Sequence, residues 1–432
     1  MKNLSPLRVL IFGYLAYTLV GWALLSLPWV QNTALSSLDT LFVATSAVST
    51  TGLVTIDPGQ SFNFLGELVI LLLIQAGGIG YMTFGSFIII ATSHKMSRHR
   101  VAVTRKAFAF PDDFGPAHFI RNVVRFTLAV EALGVLLLWW AFSARDVDNP
   151  LWMALFHSVS AFCTAGFSLF PDSLERFAHD PFINLIIAGL SYAGAIGFIV
   201  MVDVWNQLAG RQQHLHFTSK IILKVTLGFS FAGTLLVYNM DPALKAMAAA
   251  DGLLIAFFQV MTATTTVGFN TIPISHLAAP VLMVLYLLMV FGASPSGTGG
   301  GLKSTTLAAL VGLVKSTLKR RDRVRLNKRP LAPDLLRQAT ASFVYYMAVL
   351  FAAVTVLLIL EQAPLDVLLF EAISALGTVG LSTGITGDLS TLGKLLIVLL
   401  MFMGRVGILS FGIAISMQDE TPEEENDQDL AL

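Results

Sequence analysis

The segment Phe258-Gln259-Val260-Met261-Thr262-Ala263-Thr264-Thr265-Thr266-Val267-Gly268-Phe269 decides the fold, because its frame occurs four times in the chain. With Gly52, Gly166, Gly268 and Gly380 in register, a threonine stands two residues before each glycine: Thr50, Thr164, Thr266 and Thr378. Five before stands Ala47, Ala161, Ala263 or Ala375, and six before stands a hydroxyl residue, Ser46, Ser160, Thr262 or Ser374. Ten before is Phe42, Phe156, Phe258 or Phe370, and one after is Leu53, Phe167, Phe269 or Leu381. One copy of F-x3-[ST]-A-x2-T-x-G-[LF] carries little information. Four copies at similar spacing mark an internal duplication.

Each frame ends a short apolar stretch, near 37–48, 151–162, 253–263 and 367–376, too short to cross a bilayer core of about 30 Å. Longer apolar stretches flank them: 7–27, 64–92, 119–142, 182–207, 219–239, 278–291 continuing past a break to 318, 342–360 and 392–417. The pattern predicts an all-α integral membrane protein of eight transmembrane helices and four re-entrant helices. Its repeats are residues 1–98, 99–212, 213–325 and 326–417, followed by an acidic tail, 418–432, that reads as disordered and solvated. The composition agrees. Of 432 residues, 55% are hydrophobic and 12% charged, with mean hydropathy +0.74; a soluble domain carries about 25% charged residues. A soluble enzyme is thereby excluded. Zero formal charge gives no field for nucleic acid, and the single cysteine, Cys163, excludes an internal disulfide. The first apolar stretch, with no small-residue cleavage site after it, reads as a span and not a signal peptide.

Charge sets the orientation. Lys95, Arg98, Arg100, Arg105, Lys106 and Arg121 lie in the connection after the first repeat, and Arg211, Lys220 and Lys224 in the next. Lys315, Lys319, Arg320, Arg321, Arg323, Arg325, Lys328, Arg329 and Arg337 lie in the third. The segments with short helices are poor in Lys and Arg. The positive-inside rule puts these connections and both termini in the cytoplasm, and the re-entrant loops outside.

Non-helical backbone at membrane depth survives only when buried in protein or lining a water-filled cavity. A helix-ending Thr-Gly pair accounts for one occurrence but not for four at that depth. Four Thr-x-Gly segments around one axis can turn carbonyl oxygens inward and replace the hydration shell of a cation. Glycine permits the positive φ this needs, and the short helices aim the negative ends of their dipoles at the axis. The expected filter is Thr50-Thr51-Gly52, Thr164-Ala165-Gly166, Thr266-Val267-Gly268 and Thr378-Val379-Gly380; the last two match the T-V-G of potassium-channel filters. Neutral carbonyls suit a large monovalent ion better than Mg²⁺ or Ca²⁺.

The spans that follow share G-x-[IV]-G at Gly77–Gly80, Gly194–Gly197 and Gly404–Gly407, read as close-packing glycines. The third repeat has instead Gly292-Ala293-Ser294-Pro295-Ser296-Gly297-Thr298-Gly299-Gly300-Gly301-Leu302-Lys303. Pro295 and five glycines cannot continue a helix. A packing kink is one reading; a mobile gate obstructing the path just below the filter is the favoured one. It is no phosphate-binding P-loop, since Leu302 separates Gly301 from Lys303 and no strand precedes it. Arg405, a costly charge within the last span, is the expected partner of this loop's carbonyls and hydroxyls. Glu131 is expected to pair between helices and Asp203 to be solvated. His157, Gln259 and Glu371, in one column of the short helices where Val43 stands in the first repeat, are expected to hydrogen-bond behind the filter.

These residues together resemble the Trk/Ktr/HKT superfamily of potassium transporters, and most of all its KtrB-type membrane subunits. The resemblance runs from Leu7 to Met417 and rests on the four T-x-G segments, the G-T-G-G-G-L-K loop and the Arg405 helix. It implies four M1–P–M2 units around a pseudo-fourfold pore and potassium uptake across a bacterial inner membrane. It also implies a homodimer in the lipid bilayer, a regulatory cytoplasmic ring of KtrA-like RCK subunits, and Na⁺-dependent activity as in several members. It makes Gly52, Gly166, Gly268 and Gly380 the filter glycines, 292–303 the gate and Arg405 its partner. In plant relatives a serine at the first filter position goes with Na⁺ preference, so Gly52 implies K⁺. Thr51 and Ala165 depart from the valine of the other repeats, and Pro295 is unusual in the gate; the sites are therefore expected to be unequal. Trk-type subunits add two N-terminal helices, and the absence of these ahead of the first repeat favours the Ktr type. No nucleotide-binding motif occurs, so no cofactor is expected in this chain and ATP or ADP would act through the partner. Residues 319–329 would dock that partner or meet anionic lipid. The alternative is an alternating-access secondary transporter, which predicts two inverted halves in place of four direct copies. An intramembrane enzyme lacks any H-E-x-x-H, paired intramembrane aspartates or G-x-S-x-G.

Overall fold

Polar residues sit where a lipid-embedded chain needs them, at helix starts. Ser36 caps through the Asp39 amide, Asp180 through Phe182 and Ile183, Asp241 through Ala243 and Leu244, and Ser390 through Gly393. Each satisfies amides that have no intrahelical partner. Proline occupies the first turn of helices Pro150–Phe162, Pro181–Ile196, Ala279–Val290 and Pro333–Leu360, where its missing N–H costs nothing.

The computed structural model describes residues 6–93, 116–295, 297–327 and 329–416. The basic residues at 95–106, Ser296, Lys328 and the acidic tail lie outside the described residues. Four short helices, Ser37–Ser49, Pro150–Phe162, Ala249–Thr265 and Leu365–Gly377, occur where the sequence frames predict them. Each follows a long helix: Pro6–Leu25, Pro116–Ser143, Phe217–Met240 and Pro333–Leu360. Buried apolar side chains of the short helices join one another and the surrounding helices in continuous clusters. Large apolar side chains such as Phe231, Phe351 and Ile359, all more than 70% exposed, point outward. Among the described residues, Arg121–Ser143, Phe217–Met240 and Pro333–Leu360 are unbroken helices long and apolar enough to cross a membrane, and the bent pair Pro181–Ile196 and Phe198–Leu208 adds a fourth. Outward-facing apolar rings on apolar helices of this length make the chain a multi-pass membrane protein.

Two expected continuous spans are broken. Residues 182–207 form two helices bent by 103° at Gly197, and residues 392–417 divide into Thr391–Val406 and Ile408–Ser416 at Gly407. Both glycines have positive φ, 86° and 91°, which an L side chain rarely adopts. In these copies the last glycine of G-x-[IV]-G turns the chain instead of packing it. The third repeat breaks more fully, between Val290 and Ser304. The all-helical expectation needs one correction. Arg325–Leu326 and Arg329–Pro330 form a small antiparallel hairpin across the expected junction at 325/326. A strand of two residues leaves no periodicity to read.

Candidate functional site

Three short helices are capped by the threonine of their frame, Thr50, Thr266 and Thr378, and the second by Cys163, one residue before Thr164. Thr50, Thr164, Thr266 and Thr378 adopt left-handed backbone, with φ of 50°, 51°, 57° and 49°. For a β-branched residue this costs on the order of 1–3 kcal/mol and needs support. The next amides supply it. Thr51, Ala165, Val267 and Val379 donate to the carbonyls of Ser46, Ser160, Thr262 and Ser374 at 2.9, 2.8, 3.1 and 2.8 Å. The glycine amides of Gly52, Gly268 and Gly380 donate to the hydroxyls of the same Ser46, Thr262 and Ser374 at 3.0, 3.0 and 3.1 Å. The second copy differs: Ser160 Oγ donates to the Phe167 carbonyl at 2.8 Å. These N–H groups are thus turned back toward the helices. Among the described residues, no hydrogen bond uses the carbonyls of the twelve Thr-x-Gly residues.

The four segments close on themselves. The glycines have φ of +98°, +65°, +92° and +91°. A methyl group on Gly52 would strike the carbonyl of Ala165, one on Gly166 that of Val267, one on Gly268 that of Val379, and one on Gly380 that of Thr51. Each middle-residue carbonyl therefore abuts the glycine of the adjacent segment, in a cycle of four. The expected filter residues are all brought together here.

Behind the ring, side chains of one helix column hold the outgoing chain. His157 Nε2 lies 3.1 Å from Ser168 Oγ, Gln259 Nε2 donates to Thr271 Oγ1 at 3.0 Å, and Glu371 accepts from Ser382 Oγ, the Thr383 amide and Thr386 Oγ1 at 2.5, 3.1 and 2.9 Å. On the open side, a funnel of about 350 Å³ is lined by all four ring glycines and by Asp57, Asp172 and Glu175. Burial raises the carboxyl pKa of Asp57 above the usual range, against the amides of Gln60 and Gly59; burial likewise raises that of Glu175, against a bond from Asn270.

On the other side lies the interrupted segment of the third repeat. Gly77, Gly194, Gly292 and Gly404 each lie so close to a short-helix carbonyl (Val48, Phe162, Thr264 and Leu376) that a methyl group would collide with it. From this common contact the chains diverge. The 292–303 loop threads the break at Gly197: Ser294 Oγ donates to the Ile196 carbonyl at 2.6 Å, and the amides of Ser294 and Thr298 donate to the carbonyls of Ala195 and Gly194 at 3.2 and 3.0 Å. Thr298 Oγ1 lies 3.0 Å from Thr164 Oγ1, and the Gly300 amide donates to Thr378 Oγ1 at 2.9 Å. Gly299 has no room for a side chain against Thr266 Oγ1. The loop thus touches three ring threonines. Lys303 Nζ donates to the Gly299 carbonyl at 2.7 Å. Pro295 and Gly297 complete the loop, Gly297 against the Ala195 carbonyl; Gly301 takes φ +66°. Arg405, 1% exposed at the end of its helix, donates to the carbonyls of Thr298 and Gly77. The expected loop partner is there, and the first repeat is tied in as well.

Some features escaped the sequence. The Gly77 carbonyl is 328 residues from Arg405. Asp203 is buried and accepts from Gln212 Nε2 and His216 Nδ1 at 2.5 Å and from the His216 amide at 2.8 Å, so the solvated reading is corrected. Glu131 bonds Gln75 across helices at 3.0 Å, as expected. The alignment of Gly292 with Gly194 and Gly404 was the available signal for the second and fourth breaks.

The TrkH family model, described as a cation transport protein, matches residues 16–426. The chain is 33% identical to the Ktr system potassium uptake protein B of Vibrio alginolyticus over 96% of this chain and 92% of that one. It is also 33% identical to the protein of the same name from Bacillus subtilis, over 96% and 94%. The crystal structure of the potassium transporter TrkH from Vibrio parahaemolyticus superposes with a TM-score of 0.72 at 20% identity, covering 94% of this chain and 84% of that one, which establishes the shared fold. Transport, not enzymatic turnover, is the work of this family, and the chain belongs to the TrkH family of cation transport proteins.

Proposed function

We propose that this chain is the ion-translocating subunit of a Ktr-type potassium uptake system. In this reading, residues 1–98, 99–212, 213–325 and 326–417 are four M1–P–M2 repeats about one pathway. The Thr-x-Gly ring is the selectivity filter, and 292–303 with Arg405 is the intramembrane gate. The observation that carries the reading is the closed cycle of glycine-to-carbonyl contacts. Amides committed to the short helices leave the carbonyl oxygens as the polar groups available to a dehydrated cation. Neutral oxygens favour K⁺, and the obstruction lies against the filter threonines. Lys and Arg in the inter-repeat connections support a bacterial inner-membrane orientation with cytoplasmic termini. The similarity to Ktr proteins supports a homodimer, control by a cytoplasmic RCK ring that supplies the response to ATP and ADP, and Na⁺-dependent activity.

The test is Rb⁺ uptake by a potassium-uptake-deficient bacterium carrying this chain, with and without Na⁺, and with serine in turn at Gly52, Gly166, Gly268 and Gly380. We expect saturable uptake and a K⁺/Na⁺ preference reduced at least about tenfold, the loss of one bond's worth of discrimination. Unchanged preference in all four variants overturns the filter. Uptake by obligatory exchange, insensitive to membrane potential, overturns the channel-like pathway in favour of alternating access.

A further inference from the structure

Glu131 stands near the middle of the apolar stretch Arg121–Ser143 and is 4% exposed. Among the described residues it makes no ion pair. Its carboxyl has neutral partners. Gln75 Nε2 donates to Glu131 Oε2 at 3.0 Å. The sulfur of the fully buried Cys163 lies 3.8 Å from Glu131 Oε1 and 3.7 Å from Gln75 Oε1. Arg405 reaches the helix that carries Gln75, but there it donates to the Gly77 carbonyl. Ser158 Oγ donates to the backbone carbonyl of Glu131 at 2.8 Å, which leaves the carboxyl itself to Gln75 and Cys163.

Donors and acceptors balance here in one protonation state. A thiol has a single proton, and Cys163 faces two oxygens. With Glu131 ionised, one of those oxygens lacks a donor, and a charge sits at membrane depth with no cation beside it, which is costly. With a proton on Glu131 Oε1, every group is served. That O–H donates to the Cys163 sulfur, the S–H to Gln75 Oε1, and the Gln75 amide to Glu131 Oε2. The three bonds close a ring, and a fully satisfied buried network stiffens what it joins.

The ring sits behind the second Thr-x-Gly segment, the copy that lacks the support of the others. The amides of Gly52, Gly268 and Gly380 bond the hydroxyls of Ser46, Thr262 and Ser374, whereas Ser160 Oγ is turned to the Phe167 carbonyl. Gly166 also has the smallest φ of the four glycines, +65°. The positions equivalent to Cys163 are Ser49, Thr265 and Gly377. Ser49 and Thr265 bond carbonyls of their own short helices at 3.2 and 2.7 Å, and Gly377 has no side chain. Of these four positions, Cys163 is the one that bonds side chains on two neighbouring helices. Gly78 confines its sulfur, since a methyl group there would strike it. Next in the chain is Thr164, whose hydroxyl lies 3.0 Å from that of Thr298 in the obstructing loop.

We propose that Glu131 is held as a neutral carboxylic acid, and that its ring with Cys163 and Gln75 positions the second Thr-x-Gly segment in place of the missing amide-to-hydroxyl bond. Glu131 and Gln75 are then positioning residues, acting on the segment through Cys163. Their effect on ion preference rests on the filter reading; the state of the acid does not.

The test is infrared spectroscopy of the full chain in lipid vesicles at neutral pH, with K⁺ and Na⁺ flux measured in the same vesicles. The chain has one cysteine, so its S–H stretching band has one source. We expect the difference between wild type and Glu131→Gln to contain the C=O band of a protonated carboxylic acid. The S–H band should stay in place in Glu131→Gln, whose amide supplies the same donor and acceptor, and shift in Glu131→Leu and Gln75→Leu. The K⁺/Na⁺ preference should fall about fivefold in Glu131→Leu, one hydrogen bond's worth, and stay within about twofold of wild type in Glu131→Gln. Gln75→Leu acts at a half-buried position and should match Glu131→Leu, so it reports even if the latter does not fold. A carboxylate band in place of the carboxylic one overturns the proposal, since an ionised Glu131 would call for a bound cation. So does an S–H band that neither leucine variant moves. So does a preference that both leucine variants leave unchanged, or that Glu131→Gln lowers as far as Glu131→Leu. The spectra need no transport, so their failure is distinct from failure of the potassium reading, which a wild type without K⁺ preference would signal.

Discussion

The two faces of the Thr-x-Gly ring follow different rules. On the funnel side the four copies are close equivalents: the same threonine φ, the same glycine-to-carbonyl cycle and three of four identical amide-to-hydroxyl bonds. Below, the copies share only the first contact, a glycine against a short-helix carbonyl, and then separate. The first continues as helix, the second and fourth turn at one glycine, and the third becomes a loop lodged in the break of the second. On the proposed reading, repeated sequence serves the part that presents equal oxygens from every side, and divergence serves the part that blocks from one side.

The sharpest way to break this contrast is Arg405→Ala. It removes two charge-assisted bonds, each worth about 1.5–3 kcal/mol, from the loop and from Gly77 while leaving the ring untouched. Rb⁺ uptake without a regulatory partner should rise at least about tenfold with ion preference kept; altered preference with unaltered rate would show that the two faces are not separable. A smaller effect is expected of Thr298→Val, which keeps the shape and deletes hydroxyl bonds to Thr164 and the Phe162 carbonyl. At about 1 kcal/mol net, the rise should be about fivefold, again at constant preference. The smallest concerns the funnel. Burial raises the pKa of Asp57 and Glu175, so their charge is complete above that raised range and is lost as pH falls through it, earlier than for free carboxylates. Uptake should drop about twofold between external pH of about 7 and about 5 in physiological salt. The pair Asp57→Asn and Glu175→Gln should flatten that profile; an unchanged slope would remove the funnel acids from cation capture.

The sequence made the upper face legible because its demands are local. A left-handed threonine, a positive-φ glycine and a hydroxyl six residues earlier each leave a residue type at a fixed position. The loop was equally visible, since Pro295 and its glycines cannot be helical. The turns at Gly197 and Gly407 were not. One glycine in an apolar span costs only about 1 kcal/mol, and whether it bends depends on what packs beside it. Long-range partners had no periodicity to betray them, as with Arg405 and Gly77 or Asp203 and His216. Asp203 reads as solvated from sequence alone because its partners, Gln212 and His216, stand on an irregular connection.

Thr164 and Thr378 engage the loop through their hydroxyls, while those of Thr50 and Thr266 have no hydrogen-bond partner among the described residues. On the transport reading, cargo arriving at the inner mouth needs lone pairs that the seated loop already uses. Cargo and plug then weaken one another by the same factor. Potassium outside the cell would itself be an opening signal, superimposed on whatever command comes from within.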